Sequence, residues 1–318
     1  MKEIATVGIV GAGTMGRRIA FACVVRGVET CLFDISGEAL ENGVAQVRRL
    51  ISEREKKGQL KAGALESAAK HLSTSGSLQT CVSGVDLVIE TVPENVELKQ
   101  QVFGEIDRYA DPGTLIGTNT SSIPGSWLAP STGRPEKVFN ANFGGPDDRK
   151  VEVMGHPGTA PETLAAAVEW IRSLGLIPIL TKRENMGYAT NRVWRAVKKE
   201  VLHLLDGGYT TAEDIDRGWM LDWGTRIGPC GLMDKIGLDV VRDIERIYFR
   251  ASGDPSDQPP PLLDRIIGEG KLGVKAGRGF YSYPHPAYEQ PGWLEGKRAA
   301  GHRKDGTRRA RRATRRRT

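Results

Sequence analysis

The chain has 318 residues, 39% of them hydrophobic and 26% charged, which suffices for two domains with separate cores and excludes a disordered or fibrous protein. Its formal charge of +6 is unevenly spread: residues 297–318 hold eleven Lys or Arg against Asp305, leaving −4 on residues 1–296. No apolar run reaches the roughly 18–20 residues of a membrane span, and the amino terminus lacks the basic patch, apolar stretch and cleavage site of a secretory leader, so a soluble, cytoplasmic protein is expected.

Residues 4–10, Ile-Ala-Thr-Val-Gly-Ile-Val, form a β-branched apolar run that ends in Gly11-Ala12-Gly13-Thr14-Met15-Gly16, a strand feeding a glycine turn. Residues 17–26 carry Ile19, Ala20, Cys23 and Val24 at helical spacing and stop at Gly27, and a second strand, Glu29 to Phe33, ends in Asp34. A glycine triad after a strand, opening a helix, with an acid 18 residues beyond its last glycine, is the fingerprint of an adenine-dinucleotide site. Gly11 permits the tight turn, Gly13 lets backbone approach a diphosphate and Gly16 lets the helix pack on the sheet, while Thr14 and Met15 offer amide hydrogens at the positive end of that helix. Asp34 accepts both ribose hydroxyls and repels a 2′-phosphate, so NAD is the expected cofactor.

Residues 37–72 read as two helices with a turn near Gly58. The basic stretch Arg54 to Lys61 is either a solvated helix end or a patch for the phosphates of an acyl carrier such as coenzyme A. Strands are expected at 86–90, 114–117, 137–142, 151–154 and 177–180, and helices at 96–109 and 161–174. Beyond Arg183 the strand pattern disappears, and residues 187–206, 211–221, 229–250 and 261–268 show helical periodicity punctuated by Gly207-Gly208, Gly228-Pro229 and Pro259-Pro260-Pro261. The expectation is an α/β, Rossmann-type dinucleotide-binding domain over 1–183, an all-α C-terminal domain over 184–290 and a disordered Arg-rich tail over 291–318. That tail has too few apolar residues to offset its ordering entropy; it can attract polyanions, but specific nucleic-acid recognition is not expected. Cys23, Cys31, Cys81 and Cys230 form no C-x-x-C pair and no zinc-like spacing with a histidine, so reduced thiols and no metal site are expected.

Over residues 3–284 the chain resembles the NAD-dependent L-3-hydroxyacyl-CoA dehydrogenases. The pieces are the glycine triad, Asp86-Leu87-Val88-Ile89-Glu90 with Pro93-Glu94-Asn95, Asn119-Thr120-Ser121-Ser122, Val151-Glu152-Val153, Asn191-Arg192, Gly228-Pro229 with Gly237-Leu238-Asp239, and Lys275-Ala276-Gly277-Arg278-Gly279-Phe280-Tyr281. The resemblance implies that Glu94 and Lys99 border the nicotinamide ribose, that Ser121 and Asn191 hydrogen-bond the reacting oxygen of a small-molecule substrate (a 3-hydroxyacyl-CoA or related 3-hydroxy acid), and that the chain is a homodimer through its helical domain. From the residues alone, Ser121 also reads as a helix N-cap and Asn191 as a helix-surface amide.

The chain departs from the family at its base. In the family a histidine, held by a glutamate on the next strand, takes the hydroxyl proton; here the segment reads Asn140-Ala141-Asn142-Phe143-Gly144-Gly145-Pro146, with Asn142 in the histidine's place and a spacer to Glu152 about two residues shorter. A carboxamide polarises a carbonyl but does not take up a proton. Glu152 is a candidate replacement base, or a residue that only holds the loop. His156, at the end of the same strand, reads as a second candidate or as an exposed turn residue. Two functions stand: an active NAD-dependent oxidoreductase with an altered proton-transfer group, and an NAD(H)-binding homologue without turnover, acting as a sensor or partner subunit.

Overall fold

The computed structural model describes residues 3–145 and 148–296, which divide into two compact units between Arg192 and Val193. The first unit is built on an eight-stranded sheet of order β3-β2-β1-β4-β5-β6-β7-β8. Its strands are β1 (Thr6–Val10), β2 (Glu29–Phe33), β3 (Leu72–Ser75), β4 (Leu87–Glu90), β5 (Leu115–Thr118), β6 (Val138–Phe143), β7 (Lys150–Gly155) and β8 (Ile177–Thr181). All neighbours pair in parallel except β6 and β7. The central strands β1 and β4 are buried along nearly their whole length, as continuous apolar runs in a parallel sheet require.

Helices α1 (Thr14–Val24), α2 (Gly37–Lys56), α3 (Ala64–Ala69), α4 (Leu78–Val82), α5 (Val96–Tyr109), α6 (Gly125–Leu128) and α7 (Pro161–Ser173) belong to this unit. Two apolar clusters form its core. One joins α1, α2 and α7 to the sheet through Ile9, Ile19, Leu32, Phe139 and Trp170; the other joins α4 and α5 to it through Val88, Phe103, Ile106 and Ile116. Ser36 and Asn95 cap α2 and α5, their side chains accepting from Ala39 N and Leu98 N.

α8 (Tyr188–Asp206) contains the division between the units, nine residues beyond the boundary expected at Arg183, because its first turn is hydrogen-bonded into the first unit. The second unit continues with α9 (Ala212–Trp223), α10 (Pro229–Ile236), α11 (Leu238–Ser252) and α12 (Pro261–Gly268). The helix expected over 229–250 is two helices: Gly237 has φ +101°, a conformation side chains resist, and its N–H closes α10 on Met233 O while Leu238 N bonds to Leu272 O. Asp216, fully buried, receives Cys230 N and Gly231 N at the α10 N-terminus and the Tyr281 hydroxyl at 3.0 Å; burial pushes its carboxyl up.

The expectation of a disordered tail from residue 291 onward does not hold for residues 291–296. Residues 291–296 are described and Trp293 is buried in the core of the second unit, its carbonyl accepting from Arg217 Nε at 3.0 Å and its ring covered by that guanidinium. The tail expectation for residues 297–318 lies outside the described residues. The four cysteines are free thiols, and no helix among the described residues is long and apolar enough to cross a membrane.

Candidate active site

The glycine turn has the geometry an adenine dinucleotide needs. Gly11 sits at φ +110° and donates to Phe33 O at 2.8 Å, while Thr91 Oγ1 donates across the turn to Gly11 O. A methyl on Gly16 would stand 1.8 Å from Gly11 O, so only glycine lets α1 close on the turn. A methyl on Gly13 would meet nothing within 4 Å. The first-turn amides of Thr14 and Met15 at the start of α1 have no intrahelical acceptor and follow directly on that open position. At the end of β2, Asp34 accepts from Ala12 N at 2.8 Å and Ser36 N at 3.0 Å, and each carboxylate oxygen keeps a lone pair for a ribose hydroxyl. Ile35 beside it is 93% exposed, an apolar surface for a flat ring. These residues fit NAD: diphosphate on the α1 amides, ribose on Asp34. Bound there, NAD would supply hydride acceptance.

The loop after β4 is fixed from beneath. Lys99, only 1% exposed, donates to Glu90 Oε1 at 2.8 Å and Val92 O at 3.0 Å and lies 3.5 Å from Glu94 Oε2, which engages its three protons. Glu90 also receives Thr118 Oγ1 and Val92 N; burial pushes its carboxyl up against the opposing pull of Lys99. Glu94 receives Ser122 Oγ at 2.6 Å, Ser122 N at 3.2 Å and the Thr120 hydroxyl; burial works against its ionisation, but these donors and Lys99 hold it below the usual carboxylate range. Glu94 thus pins the 119–123 loop from one side. From the other, the buried Tyr188 hydroxyl donates to Thr120 O at 2.8 Å, and Asn119 Oδ1 accepts from Phe143 N at the end of β6. Ser121 stands exposed at the crest of this loop. It caps no helix, since α6 begins only at Gly125 after Pro124.

Asn142 on β6 faces Glu152 on β7 across the antiparallel ladder. Glu152 is 1% exposed; its Oε1 accepts from Thr190 N, a first-turn amide of α8, at 2.9 Å, so it serves that helix as an anionic cap. Its Oε2 has no hydrogen-bond partner among the described residues. Asn191, the next residue of α8, is half-buried. Thr190, Tyr188 and Lys150 were not singled out from the sequence, and Thr120 and Ser122 entered only as part of the Asn119–Ser122 piece; on β7, Lys150 shares a face with Glu152. His156 is placed elsewhere, toward the far end of β7: its Nε2 donates to Pro135 O at 2.9 Å and its Nδ1 accepts from Gly158 N at 3.1 Å, so neither nitrogen is available as a base.

A diphosphate turn at the carboxyl ends of parallel strands, with a cluster of polar side chains a few strands along the same edge, is the arrangement of a dinucleotide-dependent oxidoreductase. The family model described as "3-hydroxyacyl-CoA dehydrogenase, NAD binding domain" matches residues 6–184, and the one described as "3-hydroxyacyl-CoA dehydrogenase, C-terminal domain" matches 187–283. The chain is 31% identical over 283 residues to a probable 3-hydroxybutyryl-CoA dehydrogenase of Bacillus subtilis, covering 88% of this chain and 98% of that one. It is equally 31% identical over 288 residues to a 5-formyl-3-hydroxy-2-methylpyridine 4-carboxylate 5-dehydrogenase of Mesorhizobium japonicum, covering 88% and 91%. The solved (S)-3-hydroxybutyryl-CoA dehydrogenase of Ralstonia eutropha superimposes with a TM-score of 0.83 at 34% identity, over 89% of this chain and all of that one. The chain belongs to the 3-hydroxyacyl-CoA dehydrogenase family and is an NAD-dependent enzyme acting on CH–OH groups.

Proposed function

We propose that the enzyme interconverts the 3-hydroxyl and 3-keto forms of a 3-hydroxyacyl-CoA or related 3-hydroxy acid, with Asn142 where its family carries the base. The observation that carries this reading is the placing of Ser121, Asn142, Glu152 and the α8 start on the carboxyl side of β5 and β6, along the same sheet edge as the turn that fits the cofactor. In it Ser121, Asn142 and Asn191 donate hydrogen bonds to the reacting oxygen. Glu152 fixes the helix that carries Asn191, Glu94 and Tyr188 fix the loop that carries Ser121, and Lys99 acts on the cofactor through Glu94. The two relatives differ in the substrates their names give, a coenzyme A thioester and a pyridine carboxylate, so both thioesters and free acids belong in the test.

The substitution at Asn142 favours a second reading, an NAD(H)-binding protein without turnover. NADH fluorescence titration together with absorbance at 340 nm against a panel of 3-hydroxyacyl-CoA thioesters and free 3-hydroxy acids separates the two. Turnover of at least one panel member is expected; NADH binding with none above the solution rate would establish the second reading. Dimerisation through the helical unit is part of the same proposal, supported by the exposed Leu221 and Trp223 of α9.

A further inference from the structure

We infer that Lys150 is the proton-transfer group of this site, its ammonium nitrogen taking the part that an imidazole plays in the family. The inference rests on the dehydrogenase reading above. Lys150 opens β7 two residues before Glu152, so the two side chains leave the same face of the sheet, and Asn142 lies on that face directly opposite Glu152. Lys150 Nζ donates to Thr190 Oγ1 at 2.6 Å and stands 3.6 Å from Glu152 Oε2, the oxygen without a hydrogen bond. Glu152 is sealed from solvent, whereas the lysine side chain is 41% exposed. A buried carboxylate with a partly exposed, proton-bearing nitrogen beside it is the layout of a carboxylate-held acid–base pair. Here the nitrogen comes from the glutamate's own strand instead of its neighbour.

The other candidates do not fill the role. The Asn142 carboxamide is neither an acid nor a base near neutral pH, His156 has both nitrogens committed to backbone, and the Tyr188 hydroxyl is buried against Thr120 O, with burial pushing its ionisation up. The ammonium keeps one donor beyond those facing Thr190 and Glu152. In the reductive direction C3 of the ketone gains a hydride from NADH, the reductant the family's activity supplies, and the C=O π pair moves onto oxygen. That oxygen takes a proton from Lys150 Nζ, one N–H bond breaking as the O–H bond forms, and the neutral amine is reprotonated from solvent. Oxidation runs the same bonds backward, the amine receiving the hydroxyl proton.

Lys150→Ala and Lys150→Arg test the assignment, with acetoacetyl-CoA and acetoacetate as probes and NADH consumption as the readout. Arginine keeps the positive charge beside Glu152 but does not give up a proton. Both variants are expected to bind NADH within about threefold of wild type and to lose about 100-fold or more in kcat. Ethylamine in solution is expected to restore Lys150→Ala about tenfold and to leave Lys150→Arg unchanged. Independently of turnover, acetic anhydride labelling of Lys150 is expected to slow about fivefold when NADH and acetoacetyl-CoA are both present. Either variant within about threefold of wild-type kcat, amine without effect on a folded, NADH-binding Lys150→Ala, or labelling indifferent to the probes overturns the role of Lys150 while the dehydrogenase reading stands. Wild-type protein that binds NADH, reduces neither keto probe with NADH and oxidises no 3-hydroxy member of the panel with NAD overturns both.

Discussion

Gly13 and Gly16 differ in what a methyl group would do to them. At Gly16 it would collide with Gly11 O at 1.8 Å, so Gly16→Ala is expected to lower stability by about 1–3 kcal/mol through overpacking and to abolish NADH binding with it. At Gly13 the methyl enters open space, and φ of −69° suits any residue. Gly13→Ala should therefore leave the urea midpoint unchanged and weaken NADH about tenfold or more, about 1.4 kcal/mol, by standing where the diphosphate comes closest to backbone. Urea unfolding alongside NADH titration checks both, and a Gly13→Ala protein with wild-type affinity would remove the diphosphate from this turn. These two positions, like Asp34, were legible in the sequence because the turn imposes its needs on consecutive residues. Lys150 was not: it is the first residue of its strand, beside a rebuilt loop, and nothing in the local pattern distinguishes it from a solvated lysine until Thr190, 40 positions away, closes on it.

Elements whose apolar period is long and uninterrupted, such as β2, α5 and α12, lie where the sequence places them. β3 was hidden because Leu-Ser-Thr-Ser is a short edge strand with mostly exposed side chains. The break between α10 and α11 was hidden because apolar spacing runs straight through Gly237, and only its backbone angle interrupts the helix. Side-chain ties of α8 were equally invisible. In the second unit Arg195 and Lys198 of α8 both grip Glu245 of α11, and Asp257 accepts Lys199 Nζ at 2.7 Å and lies 3.0 Å from Arg195. The Lys199 hydrogen bond, with Arg195 adding to it, holds the Asp257 carboxyl well below its usual range. A carboxyl depressed in the folded state adds stability that is complete above its unfolded value of about 3.9 and fades as pH falls below it. Asp257→Asn is accordingly expected to lower the melting temperature at pH 7, the gap to wild type narrowing as the pH is taken from 4 downward; a gap independent of pH would mean that packing, not charge, holds this junction.

For the whole molecule, charge and architecture are separate matters. Residues 297–318 carry eleven basic residues against one acid and the remainder of the chain is net acidic, so the overall +6 says little about the site. A chain ending at Gly296, which keeps Trp293 in its core, is expected to retain NADH binding and turnover within about twofold and to lose any retention on heparin at low salt. Sedimentation of the same shortened chain tests the dimer: persistence places the contact in the folded units, and a monomer places it in the tail. Strand pattern disappears from the sequence after Arg183, whereas the compact units divide at Arg192–Val193, because Tyr188 and Thr190 look helical and yet bond into the sheet unit.

At one edge of the sheet, β7 and β8 run against the other six strands. Those six deliver only their last residues to the ligand side, so their chemistry is confined to strand ends and the loops beyond. β7 arrives from the opposite direction and offers its first residues there, directly after a hairpin. Because side chains alternate, a slip of that hairpin by two positions exchanges one inward-facing residue for another, whereas a slip by one turns the whole set away from the ligand. Even-numbered changes in hairpin length are thus a route by which a lineage can trade one proton carrier for another without disturbing the nucleotide half, and odd-numbered ones are a route to silence.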